Sequence, residues 1–213
     1  MKTSLFTASF LLAFGMLTME EVDGAEGEVL PGGSLDPHWQ VTSGPGITVS
    51  VPAEVLNSPP SVYASSAESR WIWVESDGGA GVNTPYVFTQ TFDLSGFDLS
   101  TATISGSWGV DNIGFIRLNG QTSGIGSGTL SLSGGSSTTS NFNTFHDFAL
   151  NDGFVSGVNT LEFVLTDLGA PGGFNLTALT GSAAIIPEPS IYALLIGAGT
   201  LAFAFARRRF RKE

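Results

Sequence analysis

Apolar and polar positions alternate in short runs between residues 47 and 179, and nearly every run stops at a Gly, Asn or Asp cluster. Ile47, Val49 and Val51 alternate with polar residues. Arg70-Trp71-Ile72-Trp73-Val74 is a dense apolar run bounded by Asp77-Gly78-Gly79. Further strands are predicted over Tyr86–Leu94, Thr103–Val110 and Gly114–Leu118, the last closed by the turn dipeptide Asn119-Gly120. A Gly/Ser/Thr loop from Gln121 to Ser140 holds one weak strand near Leu130–Leu132. Alternation returns over Phe142–Leu150, Leu161–Thr166 and Phe174–Leu179, with Asn151-Asp152-Gly153 and Gly169–Gly173 as turns between them. No stretch of ten residues here has helical periodicity free of Gly or Pro. Many short strands with regular turns predict an all-β domain: a two-sheet antiparallel β-sandwich of the jelly-roll kind.

The two ends follow other rules. Leu5 to Leu17 is an apolar run after Lys2, too short to span as a mature helix, and it reads as the core of a signal peptide. Cleavage after Gly24 or after Ala25 both suit the small-residue requirement. At the other end Pro187-Glu188-Pro189 precedes an uncharged apolar run, Ile191 to Ala206, predicted as one transmembrane helix. The prolines exclude helix just upstream. At ~1.5 Å per residue the run is slightly short for a ~30 Å hydrocarbon core, so snorkelling arginines or a thinned bilayer must help. Arg207, Arg208, Arg209, Arg211 and Lys212 hold five of the chain's eight basic residues, and such a cluster keeps the C-terminus cytoplasmic. The predicted organisation is therefore signal peptide 1–25, irregular lead-in 26–46, β-sandwich 47–183 and tail 184–213.

Motif, apolar run and basic cluster, in that order from Ile185 to Glu213, resemble the PEP-CTERM sorting signal of bacterial surface and exopolysaccharide-associated proteins. The resemblance implies a membrane-embedded exosortase as partner, which cuts near Pro187, Glu188 and Pro189 and releases the rest outward. An ordinary tail anchor shares the topology but leaves the product in the membrane. In the middle, Gly106 to Gly120, with Phe145–Phe148 and Gly157–Val164 after it, resembles the core of galactose-binding-like jelly rolls over about Trp71 to Leu179. Those hairpin features are shared by many β proteins, so the likeness bears on fold more than on ligand.

Charge narrows the partners. Between Ala25 and Ile186 only Arg70 and Arg117 are basic, against fourteen Asp and Glu. A surface this acidic repels phosphate backbones, which argues against nucleic acid. With no cysteine, neither disulfides nor a Cys-ligated metal can brace the domain, so it depends on its core.

Candidate chemistry is sparse. His38 and His146 are far apart in sequence and no nucleophile-elbow or zinc-protease motif accompanies them, so no catalytic residue is assigned and the chain reads as no enzyme. A surface glycoside hydrolase would need two facing carboxylates that sequence cannot pair. Sugar binding asks for aromatic rings with carboxylates and amides at the rim. Trp71, Trp73 and Trp108 read as core, with Trp71 and Trp73 on one strand face; Trp39 and Tyr63, in less regular stretches, are the candidate carbohydrate contacts. Asp77, Asp111, Asn112 and Asp152 are loop oxygens of the type Ca²⁺ takes, though turns need the same residues. No other cofactor is implied. The expected protein is an exported, exopolysaccharide-associated component of the cell surface or extracellular matrix, passing transiently through the inner membrane, with a lectin-like module as the alternative.

Overall fold

A computed structural model of the chain describes residues 30–79, 81–134 and 141–186. These form strands β1 (Leu35–Ser43), β2 (Val51–Val55), β3 (Ile72–Trp73), β4 (Pro85–Asp93), β5 (Phe97–Asp111) and β6 (Ile113–Leu118). The remainder are β7 (Gly126–Gly128), β8 (Ser131–Leu132), β9 (His146–Leu150), β10 (Val158–Thr166) and β11 (Gly173–Ile185). The described part is all-β. Its strands pair antiparallel throughout and join in one sheet, ordered β7-β9-β5-β11-β3-β2-β1-β4-β10-β6-β8.

The ladder is continuous where two separate sheets were expected, and β3 is the reason. Though two residues long, it pairs on both sides: Val55 with Ile72 and Glu54 with Trp73 on β2, and Phe174 with Ile72 on β11. The sheet then curls. Phe148 of β9 and Phe163 of β10 lie near opposite ends of the order, and a flat sheet at ~4.8 Å per strand would hold them roughly 30 Å apart. Their ring centroids are instead 5.9 Å apart, edge to face. Phe163 also meets Trp108 of β5 at 5.2 Å, Trp39 of β1 at 5.5 Å and Phe174 of β11 at 4.8 Å. These rings fill the concave side of the sheet.

Two expectations about the start of the domain change. The segment read as an irregular lead-in contains β1, which sits between β2 and β4. Its alternation is broken by Asp36, whose carboxylate accepts the backbone N–H groups of His38 and Trp39, both at 2.8 Å. A register shift between Leu35 and Gln40 accompanies it, so the buried positions run Asp36, Trp39, Val41 rather than every second residue. The following strand begins only at Val51, where the alternation at 47–51 had placed it earlier.

Strands β5 and β11 are buried on both faces at one end. Trp108 and Val110 face the core beside their ladder partners Leu176 and Phe174. The intervening Gly109, Asp111, Gly173 and Asn175 point to the convex face by the alternation of a strand, and they are buried too. The long connection between β2 and β3 covers them. Among the described residues no helix is long and apolar enough to cross a membrane. The expected signal peptide, Pro187, Glu188, Pro189, the apolar run and Arg207, Arg208, Arg209, Arg211 and Lys212 lie outside the described residues.

Phe163→Ala should cost about 3–5 kcal/mol, because it empties the point where rings from both wings of the sheet meet. Urea denaturation reads this directly; a loss below ~1.5 kcal/mol would show that the curl does not depend on Phe163.

Candidate functional site

The β2–β3 connection is pinned to the convex face by its own backbone. Tyr63 closes a turn onto the Pro60 carbonyl at 3.0 Å, and the Ala64 N–H donates to the Phe142 carbonyl at 2.7 Å. The Trp71 indole N–H donates back to the Ala64 carbonyl at 2.7 Å. Tyr63 and Trp71 then pack with ring centroids 4.3 Å apart, flanked by Phe142 and Phe145. Two glycines make room. A Cβ on Gly173 would lie 2.8 Å from Tyr63 and 3.0 Å from Trp71, and one on Gly109 would lie 3.2 Å from Trp71. Beside this layer opens a cleft of about 270 Å³, walled by Tyr63, Trp71, Pro60, several serines, Arg70 and Asn175.

Below the same tyrosine lie two carboxylates. The Tyr63 hydroxyl sits 2.7 Å from Asp111 Oδ2 and 2.7 Å from the Pro171 carbonyl. Asp111 Oδ1 and Asp167 Oδ2 are buried without a hydrogen-bond partner, while Asp167 Oδ1 accepts the Gly169 N–H at 2.7 Å. Burial pushes the Asp111 carboxyl up to about 6; the tyrosine hydrogen bond partly offsets this and the charge of Asp167 adds to it. Burial raises Asp167 as well, against the Gly169 hydrogen bond. Tyr63 is held far above the ordinary phenol value, first by burial and then by Asp111, so it stays a donor at all working pH values.

The candidate residues thus separate. Trp39 is only 1% exposed and packs edge to face on Phe163 and Phe174, so it offers no ring face to a sugar. Tyr63 was expected exposed and is 7% exposed, although its ring does wall the cleft. Trp71 and Trp73 were expected on one face. The structure sets Trp71 with Tyr63 and Phe145, and Trp73 with Tyr86 and Phe88. Asp77 caps the Gly79 N–H at 2.8 Å and Asp152 the Gly153 N–H at 2.6 Å, both as exposed turn residues. The Asn112 Oδ1 accepts the Leu168 N–H at 2.6 Å. Of the four candidate calcium ligands only Asp111 keeps a buried oxygen free, and its neighbour Asp167 was not singled out from sequence. Among the described residues no three His, Asp or Glu side chains come together as a metal site. His38 lies in β1 and His146 in β9, opposite Trp108.

Two residues escaped the sequence reading. Arg70 had been placed in a strand and Asp167 had been left unassigned between a strand and a turn; both border the layer around Tyr63. The one available signal for Arg70 was its rarity. Comparison with known protein families and with curated proteins finds no match to the chain.

The acid pair has a consequence for pH. A carboxyl held above its ordinary value binds its proton more readily in the folded state, so ionising it costs stability as pH rises from ~4 through 6. In chelator-containing buffer, Asp111→Asn should therefore gain on the parent by roughly 2 kcal/mol at pH 7.5, an advantage that falls to about a third of that by pH 4.5. Urea melts at the two pH values test this; a pH-independent difference would contradict it.

Proposed function

We propose that this is an exported, non-catalytic jelly-roll sandwich, delivered to the cell surface or extracellular matrix by exosortase-type processing at Pro187–Pro189 and associated there with exopolysaccharide. The observation that carries the reading is the junction. Strand β11 runs to Ile185, and the Ile186 N–H still donates to the Gly96 carbonyl at 2.8 Å. The motif therefore begins at the residue after the last hydrogen bond found among the described residues. Cutting at or after Pro187 removes the apolar run and the basic cluster and leaves every ladder pair intact. The curled ladder supports the sandwich, since rings from β5, β9 and β11 face those from β1, β4 and β10 across one core. A lectin-like module is the second reading, favoured by the cleft beside Tyr63 and Trp71. A hydrolase is disfavoured: the paired carboxylates Asp111 and Asp167, at 6% and 0% exposure, are closed to a glycan.

A structural calcium ion is part of the proposal, with Asp111 and Asp167 as its protein carboxylates. Their unpartnered oxygens fit a hard cation in type, and the further oxygens such an ion needs would come from backbone or water. Added Ca²⁺ should raise Tm by ~4 °C or more in the parent and leave Asp167→Asn unchanged. Equal melting with Ca²⁺ and with EDTA would remove the ion from the picture.

Intact-mass measurement of the native protein tests the sorting. The released form should lack everything beyond the Pro187 region, and Pro187→Ala with Pro189→Ala should leave a full-length, membrane-retained chain. A released wild-type protein that keeps Arg207 to Lys212 would overturn the reading.

A further inference from the structure

The acidic domain owns two cations, and the structure uses them differently. Arg117 forms a two-pronged pair with Glu162, Nε to Oε2 at 2.7 Å and Nη2 to Oε1 at 2.9 Å, across the β6–β10 ladder. Arg70 has no such partner. Among the described residues its guanidinium makes no ion pair and no side-chain hydrogen bond, although it is half-buried and the same residues include twelve Asp and Glu. The nearest acid in sequence, Glu68, is exposed and spends its backbone N–H on Ser66 Oγ at 3.0 Å. An arginine that lines a cleft and finds no acid in so acidic a surface is available to one from outside.

The surroundings specify what kind. Asn175 is 1% exposed; its Oδ1 accepts from Ser69 Oγ at 2.7 Å, which leaves Nδ2 as a buried donor without a partner on the cleft wall. Ser61 and Ser65 add exposed hydroxyls, while Tyr63 and Trp71 supply an apolar wall. A planar guanidinium matches a carboxylate with two parallel hydrogen bonds, hydroxyls match hydroxyls, and apolar aromatic surface matches C–H surface. The volume of about 270 Å³ sits at the lower limit of small-molecule sites and suits one ring rather than a length of polymer. The surrounding acidity acts in the same direction, because a long polyanion would be repelled along the rest of the domain.

We infer that the cleft under the β2–β3 connection binds a single carboxylate-bearing sugar residue, a uronic acid at a chain end or on a side branch, with Arg70 as the carboxylate contact. The inference rests on the glycan-associated reading of the protein and names the glycan chemistry it would recognise.

Calorimetry on the full-length chain in detergent, with methyl glucuronide, methyl glucoside and acetate as probes, tests it. Glucuronide should bind saturably below ~30 mM, as one sugar residue with a millimolar Kd would, and glucoside and acetate should each be about tenfold weaker or worse. Arg70→Gln should abolish the preference for glucuronide, and Arg70→Lys should keep part of it, since the charge survives and the fork does not. No heat with glucuronide, equal binding of glucoside, or equal binding of acetate would each overturn the site, and these comparisons need no variant. An Arg70→Gln protein with parental Tm and undiminished preference would overturn the role of Arg70. The mass measurement is independent: a correctly processed protein that ignores glucuronide rejects the cleft alone, and an unprocessed one that binds it rejects the sorting alone.

Discussion

Everything in this domain hangs on how β3 shares its backbone between β2 and β11. Ile72 is paired on one side with Val55 and on the other with Phe174, so two residues join halves that would otherwise be separate sheets. Because the join is so short, the halves can swing toward each other. Phe163 can then reach Trp108 and Phe148, and the aromatic cluster closes in turn on Trp39 and Phe174. Backbone pairing sets the hinge and ring packing sets the angle. With no disulfide available, buried aromatic area is the main stabilising term.

The same short strand explains the convex face. A strand of two residues leaves residues 56–71 as a long connection, and where it packs onto the sheet it must satisfy the polar groups it buries. It does so through Phe142, Ala64 and Asn175 rather than through a ladder. Tyr63 is the common member of everything that results: its ring packs on Trp71 and lines the cleft, and its hydroxyl reaches the Asp111 carboxylate. Cleft and acid pair are thus two sides of one side chain.

Alternation exposed what alternation builds. Strands β4, β6 and the second half of β10 lie within a residue or so of where their apolar periods end, because each carries a regular run of buried apolar residues. Strand β1 was hidden because Asp36 inserts a three-residue step between buried positions. The layer over Gly109 and Gly173 was hidden for a different reason. It is a loop packed on a strand's second face, and no period marks a loop residue as buried. Trp39 and Tyr63 looked exposed on the same ground, irregular surroundings, and tertiary packing overrode it at both. Arg70 was visible only as one of two cations in an acidic stretch, and its pairing state could be read only once Arg117 was seen to take Glu162.

The end of β11 has a mechanical meaning. Antiparallel hydrogen bonds run across the strand axis, so tension along a strand loads its ladder in shear, many bonds at once, rather than peeling them singly. Strand β11 is flanked by β5 along most of its length, from Gly173 opposite Asp111 to Ile185 opposite Phe97. A domain held by the chain just beyond Ile186 would feel any pull along that interior strand. The described domain is thus left through an interior strand whose ladder shares a pull across many bonds.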